Sequence, residues 1–180
     1  MSCSGNHKNA ERSDERKRMV EEQIKKRGIS DERILRAMLE VPRHRFVDRG
    51  QQVFAYDDAP LPIGYGQTIS QPYIVAFMIE ALMPAPSHRV LEIGTGSGYA
   101  AAVLSRVVAE VYTMETVKPL YETAKKRVEE LEYNNIHLRL GDGTKGWPEA
   151  APFDGILVSA GAPLVPKSLV DQLAPGGRLV

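Results

Sequence analysis

The chain contains one cysteine, Cys3, in 180 residues, which excludes a disulfide framework and any cluster of thiolate metal ligands. An excess of charge of one sign is missing too, since 23 Lys+Arg stand against 23 Asp+Glu. A dedicated nucleic-acid binder carries a basic excess to neutralise phosphates, and a membrane-surface protein a polybasic face. The balance therefore predicts no nucleic-acid and no membrane partner, and favours a small-molecule or peptide ligand. No apolar run approaches the roughly 20 residues that cross a bilayer. The opening MSCSGNHKNAERSDERKR has neither the apolar stretch of a secretory signal nor the acid-poor composition of a transit peptide. A cytoplasmic protein is expected, with residues 1–12 as a flexible tail. Histidine and cysteine form no metal-ligand cluster, so no metal site is predicted.

What is present suffices for one sizeable core, because 43% of the residues are hydrophobic. No repeat or low-complexity stretch appears beyond the polar leader. The character of the chain changes near residue 84. Before it, Ser13 to Arg27 reads as a helix with Met19, Val20, Gln23 and Ile24 on one side and Gly28 as a left-handed terminator. Ser30 is placed to cap a second helix carrying the stripe Ile34, Leu35, Met38 and Leu39. Residues 51–67, rich in Pro, Gly and Tyr, show neither helical nor strand period and read as a long ordered loop. An apolar helix with Pro72 in its first turn follows, and Phe77, Met78 and Ile79 are expected in the core.

After residue 84, strands and helices alternate. RVLEI (89–93), EVYTME (110–115), IHLRL (136–140), FDGILVS (153–159) and GRLV (177–180) are strand candidates, with helices over 98–107 and 117–131. This order predicts an α/β fold, a doubly wound, mostly parallel open sheet (85–180), with an N-terminal helical extension (13–84). The ending LAPGGRLV reads as a strand left unfinished, so C-terminal truncation and an exposed edge strand are expected. Ligands of such sheets bind beyond the carboxyl ends of the strands, which directs attention to the loops after residues 93, 115, 140 and 159.

The first of these loops, Glu92-Ile-Gly94-Thr95-Gly96-Ser97-Gly98-Tyr99, puts three alternate glycines between strand and helix. Tyr99 stands where a dinucleotide fingerprint needs a third small residue, which counts against a nicotinamide or flavin site. Glu92 beside the glycines suits an amine-bearing ligand better than a pyrophosphate. Glu115, about twenty residues on, occupies the position that accepts hydrogen bonds from ribose hydroxyls, and Asp142 in Gly141-Asp142-Gly143 could hold an adenine amino group. Each has a structural alternative: a strand-end Glu can cap a helix, and Gly-Asp-Gly is a common turn. Their coincidence at the ends of three successive strands favours the ligand.

VLEIGTGSGY with Glu115 and Asp142 resembles the cofactor-binding half of the class I S-adenosylmethionine-dependent methyltransferases. VPRHRFV (41–47), AYDDAPLPIGYGQTISQPYIVAFMIEAL (55–82) and FDGILVSAGAP (153–163) narrow the resemblance to the protein-L-isoaspartate O-methyltransferases, over residues 13–180. The resemblance implies a Rossmann-like fold and S-adenosylmethionine as cofactor, with S-adenosylhomocysteine as product. It further implies protein repair by methyl transfer to the α-carboxylate of isoaspartyl residues in damaged peptides and proteins; apart from the resemblance, a monomer is expected. It assigns Ser70 and Thr68 to the active site, and Glu92, Gly94, Thr95, Gly96, Ser97, Gly98, Glu115, Asp142 and Gly143 to the cofactor. Val158 to Pro163 are similar to the wall that meets the substrate backbone.

A free α-carboxylate is ionised at neutral pH, its reference pKa lying near ~3.5, so the acceptor needs no general base and placement is the main task. His44 and His88 are accordingly read as solvated rather than catalytic. By position Ser70 could instead cap the helix 71–82. Trp147 could line the adenine side or fill space under a loop, and residues 125–130 read as a solvated helix face. Two other readings stand beside repair: a class I methyltransferase for another small molecule, and a cofactor-binding domain without turnover.

Overall fold

The computed structural model describes residues 12–161 and 164–180. Apart from Arg12, the expected tail, Cys3 included, lies outside the described residues, as do positions 162 and 163 of the expected substrate wall.

Helix α1 (Ser13–Arg18) runs on through a π-helical stretch, Met19–Ile24, and a 3-10 turn, Lys25–Arg27, over the predicted span. Met19, Val20 and Ile24 are buried, and Gly28 at φ 99 turns the chain out in the left-handed region that favours glycine. Asp31, not Ser30, caps α2 (Glu32–Glu40): its carboxylate accepts from the Arg33 amide at 2.9 Å. The amides of Ser30 and Asp31 donate instead to the Glu80 carboxylate of α3 (Pro72–Ala81), at 2.9 and 3.0 Å, which ties the two helices together.

The stretch read as loop contains a hairpin. Strands β1 (Leu61–Gly64) and β2 (Gln67–Ile69) pair antiparallel and turn through Tyr65 at φ 55 and Gly66 at φ 71. Two successive positive φ values are the twist-compatible turn of a two-residue hairpin. The strands escape a periodicity test because they are four and three residues long and Pro62 interrupts the first. At the start of α3 the N-cap is Gln71, with no side-chain cap hydrogen bond, so Ser70 is not the cap. Of the three residues expected in the core, Ile79 is buried and Met78 partly so, whereas Phe77 is exposed and stacks on Tyr73.

The second half forms a five-stranded parallel sheet of β3 (Arg89–Ile93), β4 (Glu110–Glu115), β5 (Ile136–Leu140), β6 (Phe153–Val158) and β7 (Leu173–Leu179). The order is β5-β4-β3-β6-β7. Crossover helices α4 (Tyr99–Leu104) and α5 (Lys118–Glu130) carry the chain outward from β3 to β5, and it then returns to the other side of β3. That reversal opens a crevice beyond the carboxyl ends of β3 and β6, where a doubly wound sheet binds its ligands. Helix α6 (Lys167–Val170) leads into β7, which begins four residues earlier than GRLV suggested and forms one edge of the sheet. Helix α4 is shorter than the expected 98–107: Ser105 is its C-cap, and tighter turns carry the chain on through Arg106 and Val107.

Alternation along β3 divides the core. Val90 faces the larger cluster, with the N-terminal helices, α4 and α5, while Leu91 and Ile93 face a smaller one with Met114, Phe153, Ile156 and Leu169. Trp147 packs against this second cluster, edge-on to Tyr112 at 5.4 Å, so it fills space under the loop. His44 is buried, not solvated, its Nδ1 lying 2.7 Å from the Tyr56 hydroxyl. His88 is half-buried and its Nδ1 accepts from the Ala85 amide. Arg127 departs from the solvated face expected for 125–130: it turns inward, and Nη1 donates to the Ser97 carbonyl at 3.4 Å.

Candidate cofactor and substrate site

A cavity of about 390 Å³ lies over the crevice, walled by the loops that follow β3, β4, β5 and β6 and closed on one side by β2 and the start of α3. The glycine loop is folded over the end of β4, with the amides of Gly94 and Thr95 donating to the Met114 carbonyl at 2.9 and 3.0 Å. Gly94 sits at φ 96, and a Cβ there would stand 3.1 Å from the Cβ of Ala160, so the close approach of the β3 and β6 loops depends on glycine. Gly143 is similar: a Cβ would lie 2.6 Å from Ile93 Cγ2.

Glu115, buried at the end of β4, binds the loops around it. One carboxylate oxygen accepts from the Gly96 amide at 2.8 Å, and the other from the amides of Thr116 and Val117, both at 2.9 Å, ahead of α5. The two readings of a strand-end glutamate therefore coexist: it lines the cavity and also holds a helix start. Of about four acceptor sites on a carboxylate, three are used, leaving room toward the cavity.

Glu92 is fully buried. Its Oε2 accepts from the Thr113 hydroxyl at 2.6 Å, while Oε1 has no hydrogen-bond partner, and the residue lines the cavity. Burial pushes this carboxyl up to about 8, opposed by the Thr113 hydrogen bond and reinforced by the neighbouring Glu115 charge. An orphaned buried carboxylate oxygen at a cavity wall is costly unless a ligand donates to it, and an ammonium group meets that need. Asp142 is exposed at the opposite end; its Oδ1 accepts from the amide and hydroxyl of Thr144 at 3.0 and 2.7 Å, which holds its carboxyl below the usual range.

The structure brings together at this cavity Thr68, Ser70, Glu92, Gly94, Thr95, Gly96, Ser97, Glu115, Asp142 and Gly143. Gly98 does not line it; at φ 86 it is the N-cap of α4, one layer behind. Thr68 lies exposed on β2, and Ser70 is half-buried with its hydroxyl unused by α3. Val158, Ser159, Ala160 and Gly161 complete the β6 side. Of the apolar lining, Val75, Met114 and Leu169 went unnoticed in the sequence. Tyr99 was legible as bulk at the end of the glycine loop; it is buried edge-on to Phe46 at 5.6 Å. No lysine, arginine or histidine lines the cavity among the described residues.

The doubly wound sheet, with its crevice beyond the carboxyl ends of β3 and β6, is the fold of a class I S-adenosylmethionine-dependent methyltransferase. The family model for protein-L-isoaspartate(D-aspartate) O-methyltransferase matches residues 14–180. The chain is 66% identical over 169 residues to the protein-L-isoaspartate O-methyltransferase of Pelotomaculum thermopropionicum, covering 94% of this chain and 74% of that protein. It is 59% identical to that of Opitutus terrae, over 94% and 72%. Among solved structures, a protein-L-isoaspartate O-methyltransferase superposes with a TM-score of 0.85 at 38% identity, over 91% of this chain and 54% of the other. A putative Plasmodium falciparum homologue, solved in complex with S-adenosyl-L-homocysteine, gives 0.78 at 28% identity, over 91% and 82%. The chain belongs to the protein-L-isoaspartate(D-aspartate) O-methyltransferase family, S-adenosylmethionine-dependent enzymes that methylate isoaspartyl residues in protein repair.

Proposed function

We propose that this chain performs its family's reaction, methyl transfer to the free carboxylate of L-isoaspartyl residues in damaged proteins, in the cavity described above. The observation that carries the reading is the unpartnered Oε1 of buried Glu92, a residue of the same cavity wall as Glu115, Asp142, Thr68 and Ser70. Glu92 would receive the cofactor's amino group, Glu115 its ribose and Asp142 its adenine, with Gly94, Gly96 and Gly143 allowing close backbone approach and Thr95 and Ser97 flanking them. Gly98 acts from behind, by starting α4.

Bound there, S-adenosylmethionine supplies a methyl group on a positively charged sulfur. The chain's residues have a positioning task. The acceptor is already ionised, and no histidine, cysteine or lysine lines the cavity among the described residues to serve as a base. Ser70 and Thr68 would donate their hydroxyl hydrogens to the acceptor carboxylate and fix its direction. Ile69, Val75, Met114 and Leu169 exclude water on the apolar side. Orientation of this kind can supply up to roughly 7–11 kcal/mol of a barrier.

Residues 13–84 serve here as the substrate side and 85–180 as the cofactor core. The balanced charge supports a protein that engages neither nucleic acid nor membranes, and we expect a cytoplasmic monomer. Among the described residues no helix is long and apolar enough to cross a membrane. The test is transfer of labelled methyl from S-adenosylmethionine to an isoaspartyl peptide, with the ordinary aspartyl peptide as control. Transfer to the first alone is expected; transfer to neither, with the cofactor bound, would reject the reading.

A further inference from the structure

Thr113 does not line the cavity, yet it is the middle of a buried hydroxyl chain that ends on Glu92. The parallel register of β3 and β4 sets Glu92 beside Thr113, and neither side chain is exposed. Thr113 Oγ1 stands 2.6 Å from Glu92 Oε2 and 2.6 Å from Thr95 Oγ1. The two outer members, Glu92 and Thr95, line the cavity.

Hydrogen counting decides what this chain can do. Each hydroxyl has one hydrogen to give, and an ionised carboxylate only accepts. With Glu92 ionised, Thr113 must donate to Glu92 and Thr95 must donate to Thr113, so Glu92 and Thr95 have only acceptor lone pairs left for the cavity. With Glu92 protonated, the sequence can reverse: Glu92 donates to Thr113, Thr113 to Thr95, and the Thr95 hydrogen is left to point into the cavity.

We propose that Thr113 is a positioning residue that couples the charge state of Glu92 to the donor direction of Thr95, so that capture of a cationic amino group releases one proton and leaves Glu92 and Thr95 as acceptors only. The proposal rests on the assignment of Glu92 to the cofactor's amino group. An ammonium offers three donors and no acceptor, so it matches the ionised arrangement and opposes the reversed one. Glu115 at the end of β4 and Asp142 after β5 are the other charged groups on the cavity wall among the described residues. Glu115 opposes ionisation of Glu92, whereas the Thr113 hydrogen bond favours it. At pH 7 the ligand-free carboxyl, pushed up to about 8 by burial, is mostly protonated.

The test is titration calorimetry with S-adenosylhomocysteine between about pH 6 and 8.5, repeated in buffers of different ionisation enthalpy to count protons. Wild type is expected to release close to one proton at pH 7 and about half a proton at pH 8. Thr113→Val keeps the side-chain shape and removes the donor, so its profile moves up by about one pH unit. At pH 8 that variant releases nearly a full proton and binds several-fold more weakly, and Thr113→Ser restores both. An affinity loss of equal factor at every pH, with an unchanged proton count, overturns the proposal. If the valine variant does not fold, infrared difference spectra of wild type decide. A protonated-carboxyl band should vanish on binding at pH 7 and be missing in Glu92→Gln; no such band in wild type overturns the proposal. Glu92→Gln also separates the two levels. Wild-type affinity in that variant removes the assignment of Glu92 to the amino group, whereas weak binding there with an unshifted Thr113→Val profile removes the relay alone.

Discussion

Glu115→Ala tests whether one side chain both assembles the site and binds the ligand. Its carboxylate accepts from three backbone amides, those of Gly96, Thr116 and Val117, and is 6% exposed. A hydrogen bond to a charged group contributes about 1.5–3 kcal/mol when its partner stays dry. Thr116 is exposed, so water can replace the carboxylate there, and the Gly96 and Val117 amides are half-buried. The expected cost is therefore about 3 kcal/mol rather than three full bonds. For a chain of 180 residues this lowers Tm by roughly 6–12 °C. Release of Gly96 also loosens the glycine loop, and loss of the ribose acceptor weakens cofactor binding by at least about tenfold. Scanning calorimetry reads the first effect and titration with S-adenosylhomocysteine the second. Glu115→Gln should fall between: one oxygen still serves Thr116 and Val117, while the amide nitrogen meets the Gly96 N–H as donor against donor. An unchanged Tm in the alanine variant would show that the loop holds itself, and an unchanged affinity would remove the ribose role.

Ser70→Ala should leave Tm within about 1 °C, because Gln71 is the helix N-cap, and lower turnover on an isoaspartyl peptide by tenfold or more; a parallel loss in both would return Ser70 to a structural role. Glu92→Gln should alter the pH dependence of ligand-free stability. A carboxyl whose folded pKa is raised to about 8 stabilises the fold fully below its unfolded pKa and loses that contribution as pH rises toward 8. The glutamine variant should therefore gain on wild type between pH 5 and pH 8 in scanning calorimetry, and a constant Tm difference would contradict the burial argument. Gly143→Ala puts a methyl 2.6 Å from Ile93 Cγ2, so about 1–3 kcal/mol of overpacking and a raised KM for the cofactor are expected; wild-type stability and KM together would show that Ile93 yields freely.

The sheet was legible because its strands are short apolar-rich runs separated by helical stretches. β3, β4 and β5 fall on the residues that such runs pick out, the largely buried β3 as RVLEI and the edge strand β5 as the alternating IHLRL. Topology then gathers the strand ends, so Glu92, Glu115 and Asp142, far apart in the chain, could be read as one site. What escaped depends on partners that no local window contains. Cap assignments slipped by one residue, to Asp31 and Gln71, since several polar residues compete at each helix start. Thr113 looks like any β-branched strand residue until the register sets it beside Glu92.

Arg43 in VPRHRFV shows the same limit and gives that motif a physical meaning. It is fully buried, and burial lowers its pKa. Its Nε donates to the Ala55 carbonyl at 2.8 Å, Nη2 reaches the Ala59 carbonyl at 3.5 Å, and the guanidinium stacks 4.9 Å over the Tyr99 ring. A planar fork can bind carbonyls at its edge and an aromatic ring on its face at once, which a lysine ammonium cannot. Ala55 and Ala59 lead into the hairpin that carries Thr68, and Tyr99 is part of the cofactor cavity. The arginine thus fixes the segment before the hairpin to the helix that follows the glycine loop, which in the proposed reading are the substrate and cofactor sides. Placement of the two reactants, which the chemistry demands above all else, begins with that clamp.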